Sequence, residues 1–337
     1  MTTATAFIPD SFTQYDKLAP EMPKLFADIV AQPFNIASRD DLSMLVHDAG
    51  RLAAPRAARE KKAPVTRTTA PLTGEESFLR PNGDTYYARK WGEHSDVAVL
   101  RTAREHQHYA LLYGEPGTGK TAAVEAAFAD TGLHTVLGSG DTEVADLIGG
   151  YVQTPSGAFI WEDGPLLKAA ERGETLLVDE IGLIDTKVLS ILYGLMDGRR
   201  EYTVTANPER GTVKAAPGFF VVAATNPNAP GVRLSEALLS RFTLQVEMTT
   251  DWSLARKLGV PTQMVTVAQN LSKKRQSNEV SWAPQMRELL AYRDIEKLFG
   301  TKFAVANLLA AAPEIDRPLV ADVFSRVTGE PCLPAKI

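Results

Sequence analysis

From Asp84 onward, short apolar runs alternate with stretches whose apolar residues recur every three to four positions. "YALLYG", "TVLG" (Thr135–Gly138), "TLLVD" (Thr175–Asp179), "FFVVAAT" (Phe219–Thr225) and "FTLQVEM" (Phe242–Met248) are each apolar through the centre. Runs of this length predict buried strands, and "TYYARKW" predicts another ahead of them. "DVAVLRTARE" and "KTAAVEAAFAD", the latter ending near Gly132, predict helices. Buried strands separated by helices describe an α/β fold with a parallel sheet covered on both faces. After Trp252 the strand pattern stops. "SWAPQMRELLAYRDIEKLFG" and "KFAVANLLAAAP" read as helices, so the last part is expected to be a smaller helical subdomain.

Ahead of the alternating region, "PKLFADIVAQ" and "RDDLSMLVHDAGRL" predict short amphipathic helices. Arg51 to Glu76 combines prolines, alanines and a basic cluster without sustained periodicity. It reads as a solvated tether, with nucleic-acid contact by its basic run as the alternative. The expected divisions are 1–76 (helical segment and linker), 77–250 (α/β domain) and 251–337 (helical lid).

At 337 residues the chain can hold two domains, and 44% hydrophobic with 23% charged residues is ordinary for a soluble globular protein. The net charge of −5 argues against a protein that coats nucleic acid, though not against a local basic channel. One cysteine, Cys332, excludes an internal disulfide and fits a reducing compartment. No apolar run approaches the roughly 18 residues of a membrane span. "MTTATAFIPDSFTQYDKLAPEMP" lacks the basic start and apolar core of a secretory leader, so a cytoplasmic protein is expected.

The chemistry concentrates at "LLYGEPGTGKTAAVEAAF". Gly114 to Thr121 satisfies G-x-x-x-x-G-K-[ST] between a predicted strand and a predicted helix, the context that makes it a phosphate-binding loop. Glycines let backbone N–H groups surround a phosphate, and the helix N-terminus adds about half a positive charge. Gly114, Pro116, Gly117, Thr118, Gly119, Lys120, Thr121 and Ala122 are therefore candidate ATP contacts. Lys120 is expected to reach the β- and γ-phosphates, and the Thr121 hydroxyl to ligate Mg²⁺. "TLLVDEIGLID" ends a buried strand on two carboxylates. Asp179 is placed to hold Mg²⁺ and Glu180 to polarise the attacking water. Asn226, ending "VVAATN", is a candidate γ-phosphate sensor, its alternative an ordinary Asn-Pro turn. Arg241 precedes the last strand; alone, it is as readily a surface ion pair as an arginine supplied to a neighbouring subunit, and Arg233 competes for that role.

"GEPGTGKT", "LLVDEI", "AATNP" and "LLSRF", in that order, resemble an AAA+ ATPase from about Asp84 to the C-terminus. The stretch from Asp141 to Ile181 resembles the MoxR-like branch, which includes the CbbQ, NorQ, gas-vesicle and cobaltochelatase types. The resemblance implies five parallel strands in the order 5-1-4-3-2, a helical lid and assembly as a ring, commonly a hexamer. It implies two β-hairpin inserts. "GGYVQTPSGAFIWEDGPL" supplies one, with Tyr151, Phe159 and Trp161 either partner contacts or packing residues, and "REYTVTANPERGTVKAAPG" supplies the other. It makes Arg241 the preferred arginine finger and points to Arg287 in "APQMREL" as the lid arginine acting in cis. Met286 stands where many relatives have Ser or Thr, and Arg293 is a rival.

The function expected is a Mg²⁺-dependent ATPase ring that remodels or activates another protein, with a von Willebrand factor A partner implied by resemblance. The alternative is a DNA-translocating or DNA-loading motor, with Arg210, Lys214 and the basic linker as contacts. His106, His108 and His134 lack the further ligands a metal site needs. Tyr86 and Tyr87 either pack near adenine or form a half-buried strand pair.

Overall fold

Ala110–Tyr113 (β1), Leu133–Leu137 (β2), Thr175–Asp179 (β3), Phe220–Thr225 (β4) and Leu244–Glu247 (β5) form one sheet in the order β5-β1-β4-β3-β2. Every neighbouring pair is parallel. In chain order this is 5-1-4-3-2, the expected arrangement. The structure is a computed structural model of the chain and describes residues 76–334. The two amphipathic helices expected before Arg51, and the basic linker up to residue 75, lie outside the described residues.

The runs with no polar centre become the middle of the sheet. All six residues of β4 are buried, as are the first four of β3. Two strands expected to be buried are not. β2 and β5 stand at the sheet edges, where one flank has no partner strand, and β5 alternates half-buried with exposed positions. "TYYARKW" also differs from expectation. It splits into two two-stranded ribbons, Thr85–Tyr87 against Ser77–Leu79 and Lys90–Trp91 against His94–Ser95.

Helices cover the sheet because their small and apolar residues face it. Asp96–Glu105 (α1) starts at Ser95, whose hydroxyl accepts the Ala98 N–H at 3.2 Å. Lys120–Phe128 (α2) buries Ala123, Ala126 and Ala127, which let it approach closely, and ends on Phe128. The Phe128 ring meets Phe220 of β4 edge-on, centroids 5.6 Å apart, an arrangement worth about 1 kcal/mol beyond burial. Val144–Ile148 (α3) and Pro165–Arg172 (α4) are interrupted by the first hairpin, Gly149–Gln153 against Phe159–Asp163. The second hairpin pairs Glu201–Thr203 with Thr212–Lys214.

The apolar interior divides in two. One cluster runs from Tyr86 to Met248, and the second from Ala255 to Phe324. The second is built by Trp252–Lys257 (α5), Thr262–Gln276 (α6), Met286–Phe299 (α7), Thr301–Ala310 (α8) and Arg317–Thr328 (α9). Asp251 caps α5 through the N–H groups of Ser253 and Leu254. Gln285 and Glu288 form a capping box on α7, which fixes the start of the helix carrying Arg287.

Candidate nucleotide-binding site

The loop between β1 and α2 is shaped by contacts that leave no room for a side chain. Gly114 has φ +143°, and a Cβ there would stand 2.4 Å from the Met248 carbonyl oxygen. Gly117 has φ +80°, and its Cβ would meet the Cβ of Arg287 at 3.0 Å. Both positions admit only glycine without rearrangement. The result is a bare backbone turn opening α2, the geometry an anion finds at a helix N-terminus.

Lys120 opens α2 and is buried, with Nζ donating to the carbonyls of Gly114 at 2.8 Å and Glu115 at 3.0 Å. Burial lowers its pKa below the ordinary 10.5. Glu180, Asp179 and Glu115 oppose that shift, and Arg287 adds to it. Next in the helix, the Thr121 hydroxyl donates to Asp179 Oδ2 at 2.7 Å, while the other carboxylate oxygen accepts the Glu180 N–H at 3.0 Å. Glu180 itself has φ +50° and ψ +40°. A non-glycine residue held in the left-handed region carries strain, and such residues gather at working sites.

These groups line a cavity of about 370 Å³, within the size range of small-molecule sites. Its walls differ in character. The lining is of two kinds: a polar set, residues 116–122 with Asp179, Glu180 and Arg287, and an apolar set that includes Tyr86, Tyr87, Leu254, Leu258 and Leu290. A triphosphate tail suits the first and a flat base the second. The residues present fit Mg²⁺ also, because a hydroxyl and a carboxylate converge at hydrogen-bonding distance beside the bare backbone turn.

Of the candidates read from the sequence, Pro116 through Ala122, Asp179, Glu180 and Arg287 meet in this cavity. Gly114, Asn226 and Arg241 do not line it. Gly114 lies at the loop's root, its N–H bonded to the Thr225 carbonyl at 3.2 Å. Asn226 follows β4, its side-chain oxygen accepting the Asn228 N–H at 3.2 Å. Arg241 stacks over Tyr193, 4.3 Å from the ring centroid, and donates to the Ala237 carbonyl at 2.6 Å. Its Nε is buried with no hydrogen-bond partner among the described residues. Arg233 is exposed, and its backbone N–H bonds the Gly182 carbonyl.

Two rivals are placed elsewhere. Arg293 donates to the Leu258 carbonyl at 2.7 Å and pairs with Asp294, outside the cavity, whereas the Arg287 N–H bonds the Gly117 carbonyl at 3.2 Å. Arg210, named as a nucleic-acid contact, is engaged with Asp163 and Glu171. Tyr86 and Tyr87 stand in a short ribbon, buried rather than half-buried, and line the cavity. His134 bonds Glu174 at 2.5 Å and His108 bonds Thr243 at 3.0 Å. On the first hairpin, Trp161 packs against the core and donates to Asp163, while Tyr151 and Phe159 are 56% and 67% exposed. Arg80, Arg89, Glu115 and Arg275 were missed. None falls in a recognisable motif except Glu115, which occupies an unspecified position of the loop.

Residues 110–242 match the family model for the AAA domain, dynein-related subfamily. Protein NorQ of Paracoccus denitrificans is 31% identical over 260 residues, covering 75% of this chain and 88% of NorQ. The chain belongs to the MoxR-like AAA+ ATPases. An uncharacterised Staphylococcus aureus protein is 35% identical to this AAA+ chain over 168 residues, covering 47% of the chain and 63% of the relative. A solved structure of NtrX from Brucella abortus in complex with ADP aligns with it at 16% identity and a TM-score of 0.40, covering 72% of this AAA+ chain and 62% of that one.

Proposed function

We propose that the protein is an oligomeric Mg²⁺-dependent ATPase that couples hydrolysis to remodelling or activating a partner protein. The observation that carries this reading is the contact between Thr121 and Asp179, 2.7 Å apart, with Lys120 and Glu180 lining the same cavity. These are the groups phosphoryl transfer to water needs, and they come from two separate segments of one chain, the start of α2 and the end of β3.

In this reading residues 117–119 present backbone N–H groups to the β-phosphate, and Lys120 exchanges its loop carbonyls for phosphate oxygens. Thr121 and Asp179 would hold Mg²⁺, which when bound would neutralise phosphate charge. Glu180 orients the attacking water and accepts its proton. Arg287 approaches the γ-phosphate from the lid. Asn226 reports its presence from the end of β4, and Arg241 serves the cavity of the next subunit. The position of Arg241 outside its own cavity supports the last assignment, because an arginine acting between copies stabilises charge that its own site does not develop. Such an arginine speeds hydrolysis by roughly 10³–10⁵ where it has been weighed. Loss of the γ-phosphate then releases contacts shared by core, lid and neighbour, a two-state switch.

The assembly is a ring, with a hexamer as the expected count and a von Willebrand factor A protein as the expected partner. The exposed Tyr151 and Phe159 are the contacts offered to it. A cytoplasmic location is part of this reading; among the described residues no helix is long and apolar enough to cross a membrane. The DNA-motor reading loses one of its cations, since Arg210 is held by two carboxylates. Phosphate release should depend on Mg²⁺, and particle mass should rise with ATP. Single- or double-stranded DNA should leave turnover unchanged. Strong stimulation by DNA, weakened by salt, would favour the motor instead.

A further inference from the structure

Arg89 is a buried cation that nothing in the mechanism above uses. It lies between two short ribbons, and only 9% of it meets solvent. Its Nη1 donates to the carbonyl of Thr118 in the phosphate loop at 2.8 Å and to the carbonyl of Thr249, just beyond β5, at 3.2 Å. Nε faces the Tyr86 hydroxyl at 3.2 Å and Asp96 Oδ2 at 3.4 Å, and Nη2 lies 3.8 Å from the Met248 sulfur. Asp96 is fully buried and supplies the counter-charge. It also accepts from the Tyr86 hydroxyl and from the Arg89 backbone N–H.

The bond to Thr118 has a directional consequence. Among the described residues every peptide bond is trans, so the Thr118 carbonyl and the Gly119 N–H point to opposite edges of one plane. Holding that carbonyl therefore aims the Gly119 N–H, a donor of the phosphate cradle. The bond to Thr249 ties the same guanidinium to the root of the lid, two residues before the Asp251 cap of α5. Next to it, Thr250 donates to Gln285, the cap of the helix that bears Arg287, at 2.7 Å. One nitrogen, Nη1, thus holds loop and lid root together while Nε faces Asp96 and Tyr86; a lysine, shorter by one bond and ending in a single nitrogen, cannot keep both sets of partners.

We infer that Arg89 is a positioning residue for nucleotide binding: it presets the Thr118–Gly119 peptide toward phosphate and couples it to the lid root. This rests on the reading of residues 114–121 as a phosphate cradle. The groups involved face phosphates that ADP keeps, so the effect belongs to binding rather than to the chemical step.

The test compares the full chain with Arg89→Lys and Asp96→Asn, measuring the Kd for Mg²⁺-ADP, the KM and kcat for ATP, and the unfolding midpoint. Arg89→Lys should weaken ADP binding and raise KM by about tenfold, the scale of one lost charge-assisted hydrogen bond, with kcat within about twofold. Asp96→Asn keeps the fork on Thr118, so it should lower the midpoint and hold ADP affinity within about twofold. Unchanged ADP affinity in Arg89→Lys overturns the inference, as does an equal loss in Asp96→Asn, which would mark general loosening. Should the lysine chain not fold, the double variant Arg89→Gln, Asp96→Asn removes both charges together and takes its place under the same readouts. A wild-type chain that does not bind Mg²⁺-ADP defeats the cradle reading itself; a wild-type chain that binds it while Arg89→Lys binds equally defeats only the role of Arg89.

Discussion

Glu115 and Arg275 form a two-point ion pair, with Nη1 2.6 Å from Oε2 and Nη2 2.7 Å from Oε1. Arg275 belongs to the last turn of α6, so the pair joins the phosphate loop to the lid. The same carboxylate accepts from the Asn228 side chain at 3.3 Å, and Asn228 in turn bonds Asn226. One side chain thereby touches the loop, the lid and the segment after β4. Glu115→Gln and Arg275→Gln should each lower kcat/KM for ATP several-fold. The double variant should be no worse than either, giving a coupling of about 1 kcal/mol for this partly exposed pair. Additive losses in that cycle would show that the pair does not act as a unit.

Glu180→Gln keeps the shape of the side chain and removes the base. ATP should still bind, while phosphate release falls by roughly 10²–10⁴. Parallel measurement of nucleotide binding and single-turnover hydrolysis checks it, and near-normal turnover would remove Glu180 from the chemistry.

Arg241→Ala should abolish turnover in homogeneous assemblies. Mixed with Glu180→Gln chains it should recover activity, because the mutant's intact pocket then receives Arg241 from its neighbour. A mixing series that stays inactive at every ratio places the arginine outside a shared site.

Arg210 donates to both oxygens of Asp163, at 2.8 to 3.1 Å, and lies 2.5 Å from Glu171. The second hairpin is thus tied to the base of the first and to α4. The Arg210 guanidinium holds the Asp163 carboxyl below its ordinary 3.8, helped by the Trp161 N–H against the opposing effect of burial. A depressed carboxylate stabilises the fold above its unfolded pKa, and that contribution is lost as pH falls through the lower folded value. Asp163→Asn should speed hydrogen exchange across 201–214 at neutral pH. The wild type should match it only in acid, below pH 3.8.

Lys120 sets an alkaline limit. Its pKa in the free protein lies below 10.5 through burial, and phosphate oxygens would favour the charged form. Binding then takes up a proton wherever the free lysine has lost one. ATP affinity should fall as pH rises through that depressed value, and calorimetry in two buffers of different ionisation enthalpy should register proton uptake in the same window. Lys120→Met should abolish the uptake along with most of the affinity.

The central strands and the glycine turn between β1 and α2 were legible because each is governed locally. β3 and β4 are continuous apolar runs, and the loop's glycines answer to backbone geometry that only one residue type satisfies. The edge strands misled because an apolar run does not record how many neighbours a strand will have. Arg89 was invisible for another reason. Its partners stand 29 and 160 positions away, and no spacing rule connects "YYARKW" to the carbonyls of Thr118 and Thr249. The partners of Arg210 were not legible either, since the carboxylates that occupy it come from the other hairpin and α4. Between Arg287 and Arg293 the helix period alone did not decide. The capping box at Gln285 turns the first toward Gly117, and the second ends against Leu258.

The division of the interior between Met248 and Ala255 leaves the helical part fastened to the α/β part by polar ties gathered around residues 115–118 and 249–250. Anything seated in the cavity between Thr121 and Leu290 touches masonry from both halves and serves as mortar. Without it, warming should part the two halves in separate heat-absorption peaks; saturating Mg²⁺-ADP should draw those peaks upward into one.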